Sequence, residues 1–188
     1  MHPISLSEKK KIFKNKFLEL YSVSADFGEF KKDYFVVVGG TRVGILLLKN
    51  KSVLLTKQYR FLIDDYSWEI PGGTVMKGET LESAAIRECL EESGMKCNLL
   101  TPYFDYMMSV ETTLCHTHLF YTKDFQDLQD EKKFDKKETE ATKWVPFKKC
   151  INMIFTGEIK DMMTIVALLT YSKQKRENFN ISDIDNKK

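Results

Sequence analysis

The sequence contains no long apolar run. Its longest clean ones, Ile45 to Leu48 and Ile165 to Leu169, fall far short of the roughly 20 residues that a membrane-spanning helix needs. The first 30 residues hold no apolar core of the kind a secretory signal requires. An excess of one charge is missing too. With 29 basic and 27 acidic residues the net charge is +2, so nothing points to nucleic acid or a membrane surface as a partner. The lysines Lys9, Lys10, Lys11, Lys14 and Lys16 read as one solvated face. Cysteine is scarce, and Cys89, Cys97, Cys115 and Cys150 show neither paired nor zinc-type spacing. They read as reduced, mostly buried thiols, and the expected location is the cytoplasm. Histidine is scarcer still. His116 and His118 would share one face of a strand, but no further metal ligand lies nearby. A substrate contact is the minor alternative for the pair. There is no internal repeat.

What is present suits one domain with a modest extension: 188 residues, 43% of them hydrophobic, with 13 phenylalanines for a core. The most informative stretch is Gly73 to Met95. It places Glu88, Glu91 and Glu92 within about one helical turn, where residues three and four apart are neighbours. Clustered carboxylates raise one another's pKa. A hard divalent cation such as Mg²⁺ relieves that repulsion and accepts oxygen ligands, a substrate phosphate usually among them.

The full pattern is Gly-x5-Glu-x7-Arg-Glu-(apolar)-x-Glu-Glu-x-Gly-(apolar). It is filled by Gly73, Glu79, Arg87, Glu88, Cys89, Glu91, Glu92, Gly94 and Met95, and it resembles the Nudix box of nucleoside-diphosphate hydrolases. The likeness extends outward to Gln58-Tyr59-Arg60 and to Trp68-Glu69-Ile70-Pro71-Gly72-Gly73. Downstream it takes in Trp144-Val145-Pro146, Gly157 to Asp161, and Thr164-Ile165. These flanks resemble ADP-ribose and nucleotide-sugar pyrophosphatases, over roughly residues 15 to 175.

The resemblance implies Mg²⁺-dependent hydrolysis, with Mn²⁺ as the alternative metal, of a nucleoside diphosphate linked to another group. A nucleoside monophosphate and a sugar phosphate would be released. By position, Glu88 and Glu92 would ligate the metal, with Glu91 as a further ligand or a base and the Gly72 carbonyl as another ligand. Arg87 would orient Glu91, and Glu79 would order the loop before the helix. Glu138 and Glu140 are the candidates for a general base outside the box. Arg60 would contact phosphate, or else form a strand-end ion pair; Glu69 would contact metal or ribose. Three departures stand out: Cys89 in an aliphatic slot, Gly72 where alanine is common, and Ser109 to Thr112 where ADP-ribose hydrolases commonly carry proline. Two other readings stay open. One is hydrolysis of a nucleoside triphosphate or dinucleoside polyphosphate, and the other a non-catalytic Nudix-like ligand sensor.

The expected architecture is a Nudix-type α/β/α sandwich with a mixed sheet and a short N-terminal β extension. Residues 1–40 would form the extension, which related enzymes exchange between subunits, so a homodimer is expected. Residues 41–176 would form the hydrolase domain and 177–188 a disordered tail. Residues 1 to 12 read as a loose or helical lead. Phe17 to Ser24, Tyr34 to Val38, Arg42 to Leu48, Ser52 to Gln58 and Trp68 to Ile70 read as strands, as do Lys96 to Tyr103, Thr117 to Thr122 and Thr142 to Val145. Asp64 to Tyr66 and Asp124 to Lys137 read as loops. Thr80 would cap the box helix and Gly94 end it, with Ile86, Cys89 and Leu90 on its packing side. Phe147 to Phe155 and Asp161 to Lys175 read as helices, the second burying Met162, Ile165, Val166 and Leu169.

Overall fold

The computed structural model describes residues 2–16, 18–128 and 139–185, with side chains described through Gln174. The chain forms two compact units, Met1–Arg42 with Tyr106–Thr117, and Val43–Asp105 with His118–Lys188.

In the first unit, strands β1 (Ser5–Leu6) and β2 (Lys10–Lys14) both pair antiparallel with β3 (Glu19–Asp26). β3 in turn pairs with the start of β4 (Lys31–Lys49). The lead is therefore strand, not loose or helical chain. Every residue of β2 is exposed, so no burial pattern announces it; its order comes from the ladder that β3 offers. The stretches Tyr34 to Val38 and Arg42 to Leu48 are one continuous β4. Gly40, at φ +73°, lets the backbone bend without ending the strand.

In the second unit, β5 (Ser52–Arg60) pairs with the end of β4, with β10 (Thr139–Pro146) and with β6 (Asp65–Glu69). β7 (Gly72–Thr74) pairs with β4, and β8 (Met95–Met107) with β9 (Thr113–Asp127). β6 begins at Asp65 because a short 3₁₀ turn (Phe61–Ile63), with Asp64 at φ +47°, reverses the chain and puts Tyr66 opposite Tyr59. Likewise β9 runs to Asp127, into the expected loop, and β10 starts at Thr139, ahead of the strand expected from Thr142.

Alternation along the strands sets the two faces of this sheet. Val43, Ile45, Leu47 and Leu54 pack on one side against Ala84, Ala85 and Cys89 of α1 (Leu81–Ser93). On the other side a Cβ at Gly44 would come 2.8 Å from Met163 Sδ, at the start of α3 (Met162–Asp185). The sheet thus lies between α1 and α3, as a Nudix-type sandwich requires. Helix α2 (Phe147–Phe155) packs on α3, β5 and β10.

The buried face of α3 differs from the expected one. Met163, Thr164, Ala167, Leu168 and Tyr171 are buried, whereas Met162 and Leu169 are exposed at 57% and 44%. The stripe is rotated because Asp161 caps the helix through Thr164 N–H, and Thr164 is drawn inward by the backbone of Ile70. The helix also continues to Asp185, into residues expected as a disordered tail. Among the described residues, no helix is long and apolar enough to cross a membrane. The four cysteines are all free and buried.

Candidate active site

Helix α1 begins and ends where its sequence dictates. Thr80 Oγ1 accepts from Ser83 N–H at 3.1 Å while Ser83 Oγ accepts from Thr80 N–H at 2.9 Å, a reciprocal capping box that satisfies two orphan donors. Gly94 closes the helix at φ +72°, a conformation cheap only for glycine. The buried side of the helix is Ala84, Ala85, Cys89 and Ser93, with Ile86 partly buried beside them. Small residues let the helix approach the sheet closely, so the glutamates one step round are held against the Pro71-Gly72-Gly73 strand.

Glu92 is the most constrained of them. Gly72 N–H donates to its Oε2 at 3.0 Å and Gln58 Nε2 donates to its Oε1 at 2.8 Å. Burial pushes its pKa from 4.5 up to about 7, against the lowering effect of those two hydrogen bonds, and the nearby Glu88 adds to the rise. Glu88 lies against the next residue of the strand, since a Cβ on Gly73 would sit 2.3 Å from its Oε1. Burial also raises the Glu88 pKa, with Arg87 opposing.

Arg87 ties the rest together. Its Nε and Nη2 donate to the two oxygens of Glu79 at 2.7 and 3.0 Å. Nη1 reaches Glu88 at 2.8 Å and Glu91 at 3.1 Å, and Nη2 also reaches the Thr74 carbonyl at 3.0 Å. The expected Arg87–Glu91 pair is therefore one part of a hub that clamps loop, strand and helix. Arg87 and the Met76 N–H hold the Glu79 carboxyl down at about 2. Glu79 thus orders the loop by charge-assisted bonds. As its folded pKa lies below 4.5, its contribution to stability is present above that pH and is lost as pH falls toward 2. Acid titration of Glu79→Gln, followed by circular dichroism, is expected to show a shallower loss below pH 4 than the parent chain.

Arg60 and Glu69 meet each other. Arg60 Nε donates to Glu69 Oε1 at 2.8 Å, and Nη2 donates to Oε2. The Glu69 side chain is buried at 2% exposure while that of Arg60 is 44% exposed. Burial raises the Glu69 pKa and Arg60 counters it. The strand-end pair is the arrangement present, and it leaves the guanidinium fixed at the margin of the glutamate cluster. Glu140, in contrast, pairs with Lys57 Nζ at 3.0 Å. Lys57 alternates with Gln58 and Arg60 along β5, so Glu140 is not brought to the box carboxylates. Glu138 lies outside the described residues.

The sequence reading missed Gln58, Asp161 and Thr164. Gln58 is 3% exposed and sits two residues from Arg60 on one strand, a spacing that signals a shared face. Asp161 Oδ2 accepts from Thr164 N–H and from its hydroxyl at 2.8 and 2.7 Å, and Thr164 Oγ1 accepts from Ile70 N–H at 3.0 Å. Helix α3 thereby pins the strand that leads into Gly72. Thr164→Val is expected to destabilise the fold by about 1–3 kcal/mol, the cost of an unpaired buried donor, read as a lower urea midpoint.

Among the described residues no three His, Cys, Asp or Glu side chains converge as a complete metal cage. The donors that do face the glycine strand, Glu88 and Glu92, are all oxygen. That set fits a hard cation of the Mg²⁺ type, which keeps waters and substrate phosphates in its shell and needs only one or two carboxylates. A carboxylate of pKa about 7 in a buried setting is also one that a cation would stabilise in its charged form.

The comparisons agree with this geometry. A family model described as NUDIX domain matches residues 40–162. The ADP-ribose pyrophosphatase of Bacillus subtilis (strain 168) is 25% identical over 162 residues, covering 85% of this chain and 88% of that protein. The ADP-sugar pyrophosphatase of Mus musculus is 35% identical over 72 residues, 38% of this chain and 33% of that one. A crystal structure of an ADP compounds hydrolase shares the fold, with a TM-score of 0.79 at 16% identity, covering 95% of this chain and 96% of that one.

Proposed function

This chain belongs to the Nudix hydrolase family, enzymes of nucleotide-derived small molecules, and from that premise we propose that it cleaves the pyrophosphate bond of a nucleotide sugar or ADP-ribose-like compound. The observation that carries the proposal is Glu88 and Glu92 held against Gly73 and Gly72 by a strand, a helix and an arginine hub.

Nudix hydrolases generally use divalent metal ions, and Glu88 and Glu92, with the Gly72 carbonyl, are the groups proposed to hold Mg²⁺ or Mn²⁺ here. When bound, such an ion neutralises pyrophosphate charge and lowers the pKa of a water nucleophile. The protein's own residues do the positioning. Gln58 and the Gly72 N–H fix Glu92. Arg87 fixes Glu88 and Glu91. The Glu91 side chain, 49% exposed against 14% for Glu88, stays open to solvent and is proposed to accept the proton of an attacking water. Arg60, preorganised by Glu69, is proposed to present its guanidinium to a substrate phosphate. Assembly as a homodimer is part of the proposal, supported by exposed Phe30 and Phe35 of the first unit; light scattering on the purified chain checks it.

The test is product analysis. Full-length protein incubated with ADP-ribose or ADP-glucose and Mg²⁺ is expected to yield AMP and a sugar phosphate, and none in EDTA. Intact substrate after prolonged incubation with Mg²⁺ and with Mn²⁺ would count against the proposal.

A further inference from the structure

The second unit contains a cavity of about 890 Å³ that shares no residue with the carboxylate site, a volume within the usual range for small-molecule sites. It lies between the β4–β5 turn, helix α2 and helix α3. Phe147 and Tyr171, whose ring centroids lie 5.8 Å apart, line it together with Lys49, Lys51, Lys123 and Lys148. Among the described residues, no aspartate or glutamate lines it. Acidic and basic residues are nearly equal in number over the chain, so four cations without an anion make a local field of one sign. Lysine is a compact point charge on a flexible stem and a regular binder of phosphate.

The backbone supplies a second observation. Asn50 and Lys51 lie at φ +50° and +63°, the two left-handed positions of a tight hairpin turn. Such turns favour Asn-Gly. Asn50 fits, but Lys51 stands where glycine would be the unstrained choice. Strain retained at one position points to a use for the side chain there, and the use available is the lining of this cavity.

We propose that the cavity is a second ligand site, selective for a phosphate-bearing small molecule with a flat apolar body, of the nucleoside monophosphate class. The lysines take the phosphate, the Phe147–Tyr171 pair takes the base, and Asn152 in the lining offers an amide to the edge of the base. A bare phosphate lacks the stacking half of the interaction, and a nucleoside lacks the charged half. The site does not depend on the reaction assigned to the carboxylates.

Calorimetry on the full chain in EDTA, which withholds divalent metal, tests this with AMP, UMP, adenosine and inorganic phosphate as probes. AMP or UMP is expected to saturate one site, with adenosine and phosphate weaker by about tenfold or more, as each keeps only half of the contacts. Lys51→Gly combined with Lys148→Gln is expected to weaken AMP by a similar factor. Lys51→Gly relieves the turn, so its melting temperature is expected to match or exceed the parent's, which keeps misfolding from explaining the loss. Glu92→Gln is expected to bind AMP as the parent does. No saturation by either nucleotide, phosphate binding as tightly as AMP, or binding lost in Glu92→Gln but kept in the lysine variant would each overturn the proposal. Hydrolysis of nucleotide sugars by the same preparation reads the carboxylate site separately.

Discussion

Glu92→Gln is expected to lower turnover by about a thousandfold, since it removes a charged metal ligand worth several kcal/mol of transition-state stabilisation, while the fold survives. The amide is isosteric, and its oxygen still accepts from Gly72 N–H. Gln58 needs only to turn its own amide to pair with the new side-chain nitrogen. Stability carries an independent signature. The Glu92 pKa rises from 4.5 to about 7 on folding without metal. A raised acid stabilises the fold fully below pH 4.5, and that contribution is lost as pH climbs through 7. The difference is about 3 kcal/mol at most. Metal-free parent protein is therefore expected to lose stability between pH 5 and 8 in urea titrations, and Glu92→Gln to flatten that slope. Unchanged turnover in the variant would show the metal ligands to be misassigned.

The second large effect separates two adjacent glycines. A Cβ on Gly72 would lie 2.4 Å from the Val43 carbonyl oxygen and 2.9 Å from the Gly44 Cα, both backbone atoms of the neighbouring strand. Neither can move without parting β7 from β4, so Gly72→Ala is expected to cost about 3 kcal/mol or more, the upper range for overpacking. A Cβ on Gly73 meets the carboxylate of Glu88 instead, the far end of a side chain that can swing aside. Gly73→Ala is thus expected to leave the denaturation midpoint nearly unchanged but to displace Glu88 and depress turnover by about 10–100-fold, as misplacing a reacting geometry does. Denaturation curves and steady-state rates on both variants check the pair. Equal stability loss in the two would mean that Glu88 does not rest on Gly73.

Much of this site was legible from local chemistry. Thr80, Ser83 and Gly94 set the ends of α1 by caps that involve only near neighbours. The spacing of Glu88 and Glu92 put them on one helix face for the same reason. What escaped the sequence depended on contacts between distant segments. Gln58 reaches Glu92 across 34 residues, and Thr164 reaches Ile70 across 94; no local pattern encodes either. Helical spacing shows the Arg87–Glu91 pair, whereas Glu79 joins Arg87 only through a loop closed by Gly78 at φ +90°. Glu140 is a candidate base by its position along the chain alone. An irregular register between Thr139 and Ala141 puts it beside Lys57. Strands β1 and β2 escaped because an exposed strand beside a single partner carries no alternation of burial.

The most direct measurement compares substrate classes in one set of conditions: kcat/KM with Mg²⁺ for ADP-ribose, ADP-glucose and UDP-glucose against ATP, dGTP and a dinucleoside polyphosphate, with every product identified by mass spectrometry. The account predicts that a diphosphate-linked compound is turned over fastest and releases a nucleoside monophosphate with a sugar phosphate. Pyrophosphate released from a triphosphate at a higher kcat/KM, with the diphosphate-linked compounds left intact, would contradict it.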